Sequence, residues 1–192
     1  MRTVRRSLRL LPLLFPLLFL TLGPVPPSPA ATSPMPTEQQ WIDLTARDLT
    51  GAQDYVRDRV AQGAHGRRLA LNLDIDNTSL ATYYDRGHAV RATLDLATYA
   101  HSQGVSVLFN TGRWVSMRSS TLTELRAAGY PVDGLCTRYR GEALEHSKQR
   151  CRASFVRHGF TLIANVGNRS FDFVGRDYER RYWLPNFGNR LG

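Results

Sequence analysis

The segment R-L-A-L-N-L-D-I-D-N-T-S-L, residues 68–80, decides the fold. An apolar run, Leu69 to Leu73, passes directly into Asp74 and Asp76 and then Asn77-Thr78, the pattern of a strand that ends in a polar turn. Two carboxylates two residues apart at a strand end repel each other unless a cation or a shared proton offsets the cost. The same letters also suit a plain capped strand end, since Asp and Asn are common turn residues.

Working outward, the chain alternates short apolar runs with helix-length stretches. Residues 89–103 read as a helix stopped by Gly104, 105–109 as a buried strand, and 110–113 as the turn Asn-Thr-Gly-Arg. A second helix is expected over 114–128, a strand over 132–136, a helix over 141–158, a strand over 160–166 and a short last strand over 181–184. Strands separated by helices of this length imply an α/β domain, a Rossmann-like parallel sheet with helices on both faces. Ligands then bind beyond the carboxyl ends of the strands. Asp74 and Asp76, Thr111, and Asn168 stand at three of those ends and converge on one crevice.

That crevice holds two carboxylates, the hydroxyl and glycine amide of Thr111-Gly112, a lysine on a helix, and the pair Asn168 and Asp172. Carboxylates without histidine or cysteine ligands call for a hard cation, Mg²⁺ above all. Hydroxyl, amide and ammonium are groups that hold a phosphate, so phosphoryl transfer is the economical chemistry. Of 25 basic residues only Lys148 is lysine. A compact ammonium and a planar guanidinium are not interchangeable at a tight anion site, so this lysine is either required or a chance survivor.

The series D-I-D-N-T (74–78), L-F-N-T-G-R (108–113), Lys148 in a helix and V-G-N-R-S-F-D (166–172) resembles the four motifs of haloacid-dehalogenase-like hydrolases. Within that superfamily the chain beyond its first thirty or so residues is similar to exported acid phosphatases of the class B and plant vegetative-storage type. The resemblance implies that Asp74 is the nucleophile that forms an aspartyl-phosphate and Asp76 the general acid and then base. It implies that Thr111 and Gly112 bind the phosphoryl oxygens and that Lys148 neutralises charge between Asp74 and phosphate. It also implies a Mg²⁺ site on Asp74, Asp76, Asn168 and Asp172. Relatives carry an aspartate where this chain has Asn168, a substitution expected to weaken metal binding. A second reading follows from it, a catalytically weakened phosphate-binding, storage or surface-interaction protein.

About thirty residues separate Asp76 from the next strand, too few for a large cap, so a minimal cap is expected. Tyr83 and Tyr84 form a flap candidate that either stacks on an aromatic or nucleoside leaving group or packs within the domain. Small phosphate monoesters, nucleotides among them, are the expected substrates.

Four arginines in the first nine positions, the apolar run 10–22 and Ser28-Pro29-Ala30-Ala31 have the layout of a signal peptide over 1–30. Pro12 and Pro16 interrupt the run, which is too short for a span, so a secreted or cell-envelope protein without a stable membrane anchor is expected. Arg5-Arg6 leaves the choice between general and twin-arginine export open. Residues 31–36 read as a disordered proline-rich linker and 37–192 as a single domain. Thr37 and Gln40 fit a capping box at the start of an amphipathic helical segment that breaks near Gly51 and ends about Gly63. Four of the 25 basic residues and none of the 16 acidic ones lie in the first thirty positions, so the remainder carries +5. Its arginines are scattered without an aromatic-interleaved stripe, which argues against nucleic acid as a partner. Cys136 and Cys151 are either a disulfide or two buried thiols.

Overall fold

The computed structural model describes residues 34–191. The signal-peptide expectation and the first part of the linker lie outside the described residues.

Two helices open the domain, α1 (Glu38–Asp48) and α2 (Ala52–Ala61). The expected capping box is present: the Gln40 amide N–H donates to Thr37 Oγ1, and the Thr37 N–H donates back to Gln40 Oε1. Gly51, in the left-handed region at φ 74°, breaks the helical segment at the expected place. The linker expectation is corrected at its end. Met35 packs against the cluster of Trp41, Ala81, Val90 and Leu191, and the Pro36 carbonyl accepts from Tyr84 Oη, so the residues just before Thr37 are seated on the domain.

β1 (Arg68–Leu73), α3 (Arg91–Ser102), β2 (Ser106–Trp114), α4 (Arg118–Ala127), β3 (Gly134–Arg138), α5 (Leu144–Arg157), β4 (Phe160–Gly167) and β5 (Arg180–Trp183) follow. All five strands are parallel, in the order β3-β2-β1-β4-β5. The chain moves one way from β1 to β3 and the other way from β4 to β5, so the order reverses between β1 and β4. That switch point is where such sheets open a binding crevice.

Because side chains alternate along a strand, β1 feeds both layers. Leu69, Leu71 and Leu73 enter the main core with Leu49 and Val56, Leu96 and Ala100 of α3, and Leu125 of α4. Ala70 faces the other way, into a smaller cluster with Leu108, Phe160 and Leu162 beneath Phe155 and Val156 of α5. Asn72 shares that second face and donates to Asn165 Oδ1 at 2.5 Å, its register partner on β4.

The strand expectation at 105–109 was too short. β2 continues through Asn110-Thr111-Gly112-Arg113 to Trp114, with an irregularity in its pairing to β3 between Asn110 and Trp114. The next helix therefore starts at Arg118, after a 3-10 turn at Val115–Met117. Residues 74–90 form turns and two isolated bridges, Asp76 to Leu80 and Leu80 to Ala89, with no inserted domain. Among the described residues no helix is long and apolar enough to cross a membrane.

Candidate active site

Beyond Leu73 the chain folds back on itself. The Ile75 carbonyl accepts the N–H groups of Thr78, Ser79 and Leu80, and Asn77 takes φ 55°, a conformation that Asn tolerates better than most residues. Asn77 pins the turn by donating to the Leu191 carbonyl at 2.6 Å and accepting the Tyr83 N–H at 2.7 Å. The reversal brings Thr78 Oγ1 to Asp74 Oδ2 at 3.0 Å and Ser79 Oγ to the Asp74 carbonyl at 2.6 Å.

Lys148 reaches Asp74 from α5. Its buried ammonium lies 2.5 Å from Asp74 Oδ1, 2.6 Å from the Asn110 carbonyl and 2.6 Å from Asp172 Oδ1, so three oxygens surround three protons. Burial works against its charge, but Asp172 and Asp74 outweigh that and raise its pKa. Burial pushes the Asp74 carboxyl above the usual carboxylate range; Asp172 adds to the rise and Lys148 opposes it.

Asp172 sits behind this pair. Its Oδ2 accepts the N–H groups of Asn168 and Arg169 at 3.2 and 2.9 Å, and it passes so close to Gly167 that a Cβ there would lie 2.6 Å from it. Arg152, one turn after Lys148 on the same face of α5, donates to the Asp172 carbonyl at 2.6 Å and to that of Val174. One helix face thus grips both the side chain and the backbone of Asp172.

Asp76 behaves differently. Its side chain is 40% exposed, and Arg113 clamps it with Nη2 on Oδ1 at 2.7 Å and Nε on Oδ2 at 3.1 Å. The same guanidinium reaches Glu124 at 2.5 Å. Burial works to raise the Asp76 pKa, but Arg113 and the Thr82 hydroxyl prevail and hold it below the ordinary value.

A cavity of about 330 Å³ at the switch point is lined by Asp74, Asp76, Asn77, Gly112, Arg138, Leu144, Asn168, Arg169 and Phe171. A larger one, about 600 Å³, opens beside β3 and holds none of the sequence-predicted site residues. Four of the sequence-predicted site residues, Asp74, Asp76, Gly112 and Asn168, face the first cavity. Thr111, Lys148 and Asp172 stand buried behind its wall, where Thr111 Oγ1 accepts the Arg113 N–H at 3.1 Å. Tyr83 and Tyr84 do not line it. Tyr84 stacks on Trp41 with ring centres 5.2 Å apart, and Tyr83, itself about half exposed, packs edge-on against Tyr84.

The donor set suits a hard cation in part. Asn168 Oδ1 is buried without a hydrogen-bond partner and shares the cavity with the Asp74 carboxylate, two oxygen donors of the kind Mg²⁺ takes. Asp76 is held by Arg113 and Asp172 by Lys148 and loop amides, so two of the four expected ligands are engaged elsewhere. Among the described residues no three His, Cys, Asp or Glu side chains are grouped to hold a metal.

Sequence reasoning missed Arg113, Arg138, Arg152 and the asparagines Asn72, Asn110 and Asn165. The asparagines carried a signal: each interrupts an otherwise apolar strand. Asn110 Nδ2 donates to the Lys148 carbonyl at 2.8 Å and Asn165 Nδ2 to the Asp172 carbonyl at 2.8 Å. The open cysteine question resolves as a disulfide, Cys136–Cys151, which joins β3 to α5 with Cα atoms 5.6 Å apart.

Residues 84–189 match the family model of the HAD superfamily, subfamily IIIB (acid phosphatase). That stretch is over half of the chain and contains Thr111, Gly112, Lys148, Asn168 and Asp172; Asp74 and Asp76 precede it. The fold is similar to the crystal structure of a class C acid phosphatase from Bacillus anthracis with tungstate bound, with a TM-score of 0.63. That match covers 78% of this chain and 79% of the other at 17% identity, a likeness of fold. No curated protein matches the sequence. With the family model matching over half of the chain, the chain belongs to the acid phosphatases of HAD subfamily IIIB and is a phosphomonoester hydrolase.

Proposed function

We propose that the protein is an exported acid phosphatase that works through an aspartyl-phosphate on Asp74 and requires Mg²⁺. The carrying observation is the contact of Asp74 with the buried Lys148 ammonium at the carboxyl end of β1, in a cavity that Asp76 also lines. In the first step a carboxylate oxygen of Asp74 bonds to phosphorus, the ester P–O bond breaks, and Asp76 gives its proton to the departing alkoxide. In the second, Asp76 takes a proton from water, the water oxygen bonds to phosphorus, and the Asp74–phosphorus bond breaks to release phosphate. The Gly112 amide and Thr111 steady the phosphoryl oxygens, and Lys148 opposes the rise that burial gives the Asp74 pKa. Bound Mg²⁺ would supply charge neutralisation for the phosphoryl group. Asp74 and Asn168 would hold it.

Arg113 favours the ionised form of Asp76, which suits the second step and makes acid the condition for the first. The disulfide supports export, because such bonds persist in oxidising compartments. Small phosphate monoesters, nucleotides included, are the proposed substrates.

The test uses p-nitrophenyl phosphate from mildly acidic to neutral pH, with Mg²⁺ or EDTA. Release that requires Mg²⁺ and disappears in Asp74→Asn is expected; Asp74-independent release would overturn the mechanism. Asn168→Asp is expected to lower the Mg²⁺ concentration needed for half-maximal rate. An unchanged requirement would remove this residue from the metal site. Mass spectrometry of the protein recovered outside the cytoplasm should find a chain beginning at Ala31. An intact residue 1–30 segment would end the cleavage reading, and absence of the protein from that fraction would end the export reading.

A further inference from the structure

Arg138 is a charge in the cavity that the phosphatase chemistry does not use. It ends β3 and lies in register with Trp114 at the end of β2, over whose ring its guanidinium stacks at 3.6 Å. Arg59, Arg113 and Arg150 each pair with a carboxylate, at 2.8, 2.5 and 2.6 Å. Arg138 forms no ion pair among the described residues, and its Nε is buried without a hydrogen-bond partner. A planar cation stacked on an aromatic ring keeps its edge N–H groups in a fixed plane, the arrangement that receives a carboxylate or phosphate through two parallel bonds.

Its location says which anion. Asp74 follows β1 and Arg138 ends β3, two strands across and two residues further along by register, so the two positions are about 12 Å apart at ordinary strand spacing and rise. Both line one cavity. A phosphoryl group placed on Asp74 leaves the alcohol portion of the ester directed along the cavity, and a small carbon skeleton bridges what the arginine side chain does not span. Arg169 lies on the same wall as Asn168 and adds a second positive charge.

We propose that Arg138 is a specificity-determining residue that selects phosphate monoesters whose alcohol portion carries a second anion, a carboxylate or another phosphate. The inference rests on the phosphatase reading of the cavity but is tested by binding, which needs no turnover. Calorimetry would compare propylphosphonate with 3-phosphonopropanoate, in which the terminal methyl is a carboxylate, and with propane-1,3-bisphosphonate. The wild-type protein should bind the better of the two anionic-tailed ligands about tenfold more tightly than propylphosphonate. Which of the two wins distinguishes a carboxylate from a phosphate partner.

In Arg138→Met the preference should vanish while propylphosphonate affinity stays within about threefold, which also shows that the variant folds. Arg138→Lys should retain part of it, and Arg140→Met, which removes an exposed neighbouring charge outside the cavity, should retain all of it. Equal affinities in the wild type, or a preference that survives Arg138→Met, would overturn the proposal. A retained preference in a protein that does not hydrolyse p-nitrophenyl phosphate would instead overturn the catalytic reading and leave this one standing.

Discussion

The two carboxylates of the D-I-D motif are two residues apart and live in different electrostatic worlds. Asp74 lies in a dry half of the site, on the β1 and β4 side, where Lys148 and Asp172 are almost fully buried and each charge has a fixed partner. Asp76 lies in a wet half, on the β2 and β3 side, with a partly exposed side chain facing Arg113 and Glu124. Burial raises one and an arginine lowers the other. Neighbouring letters in a sequence therefore say little about shared chemistry; the element that packs behind each side chain decides it.

The largest effect should come from breaking the dry half. Lys148→Met leaves two buried carboxylates without their cation, and a loss of about 3–5 kcal/mol in unfolding free energy is expected by urea titration. A variant as stable as wild type would show that the halves do not differ as described. Joining the halves is the Cys136–Cys151 bond, which closes a 15-residue separation. The double alanine variant should lose roughly 3 kcal/mol, visible as a lower Tm.

Next comes a pH effect. A carboxyl whose folded pKa is raised binds more protons folded than unfolded, so its contribution favours the fold at low pH and is lost as pH rises above the ordinary value of 3.8. Asp74→Asn should flatten that part of the stability profile, and an unaltered profile would remove Asp74 as its source. In the wet half the stability effect should be smallest. Arg113→Met should cost about 1 kcal/mol, since both carboxylates it pairs with, Asp76 and Glu124, are partly exposed. It should also raise the Asp76 pKa and move the falling limb of the p-nitrophenyl phosphate rate profile to higher pH. A limb that stays in place would mean that Asp76 is not the proton donor.

Much of the fold was legible because apolar runs bounded by glycines mark strands and helices. The motif residues were legible because a closely spaced pair of aspartates fell at a strand end and the one lysine fell on a helix. What stayed hidden was pairing. Arg113 stood in view inside Thr-Gly-Arg, yet its partner Asp76 is 37 positions away, and nothing local announces such a clamp. Arg138 and Trp114 meet only because β2 runs on past the turn that Asn-Thr-Gly suggested. Tyr84 was legible as an aromatic near the site, but its role depends on Trp41 and Pro36, which come from the other end of the domain.

The Asn72–Asn165 contact has a bearing on how the sheet finds its alignment. Leucines 69, 71 and 73 would fit their layer in more than one sliding position of β1 against β4, since apolar contacts are tolerant of offset. An amide is not. A two-residue slip would return the leucines to their layer yet carry Asn72 out of line with Asn165 and leave two buried amides without each other. The asparagine pair works as a keyed joint that accepts one alignment, and the position of Asp74, two residues downstream, is inherited from it.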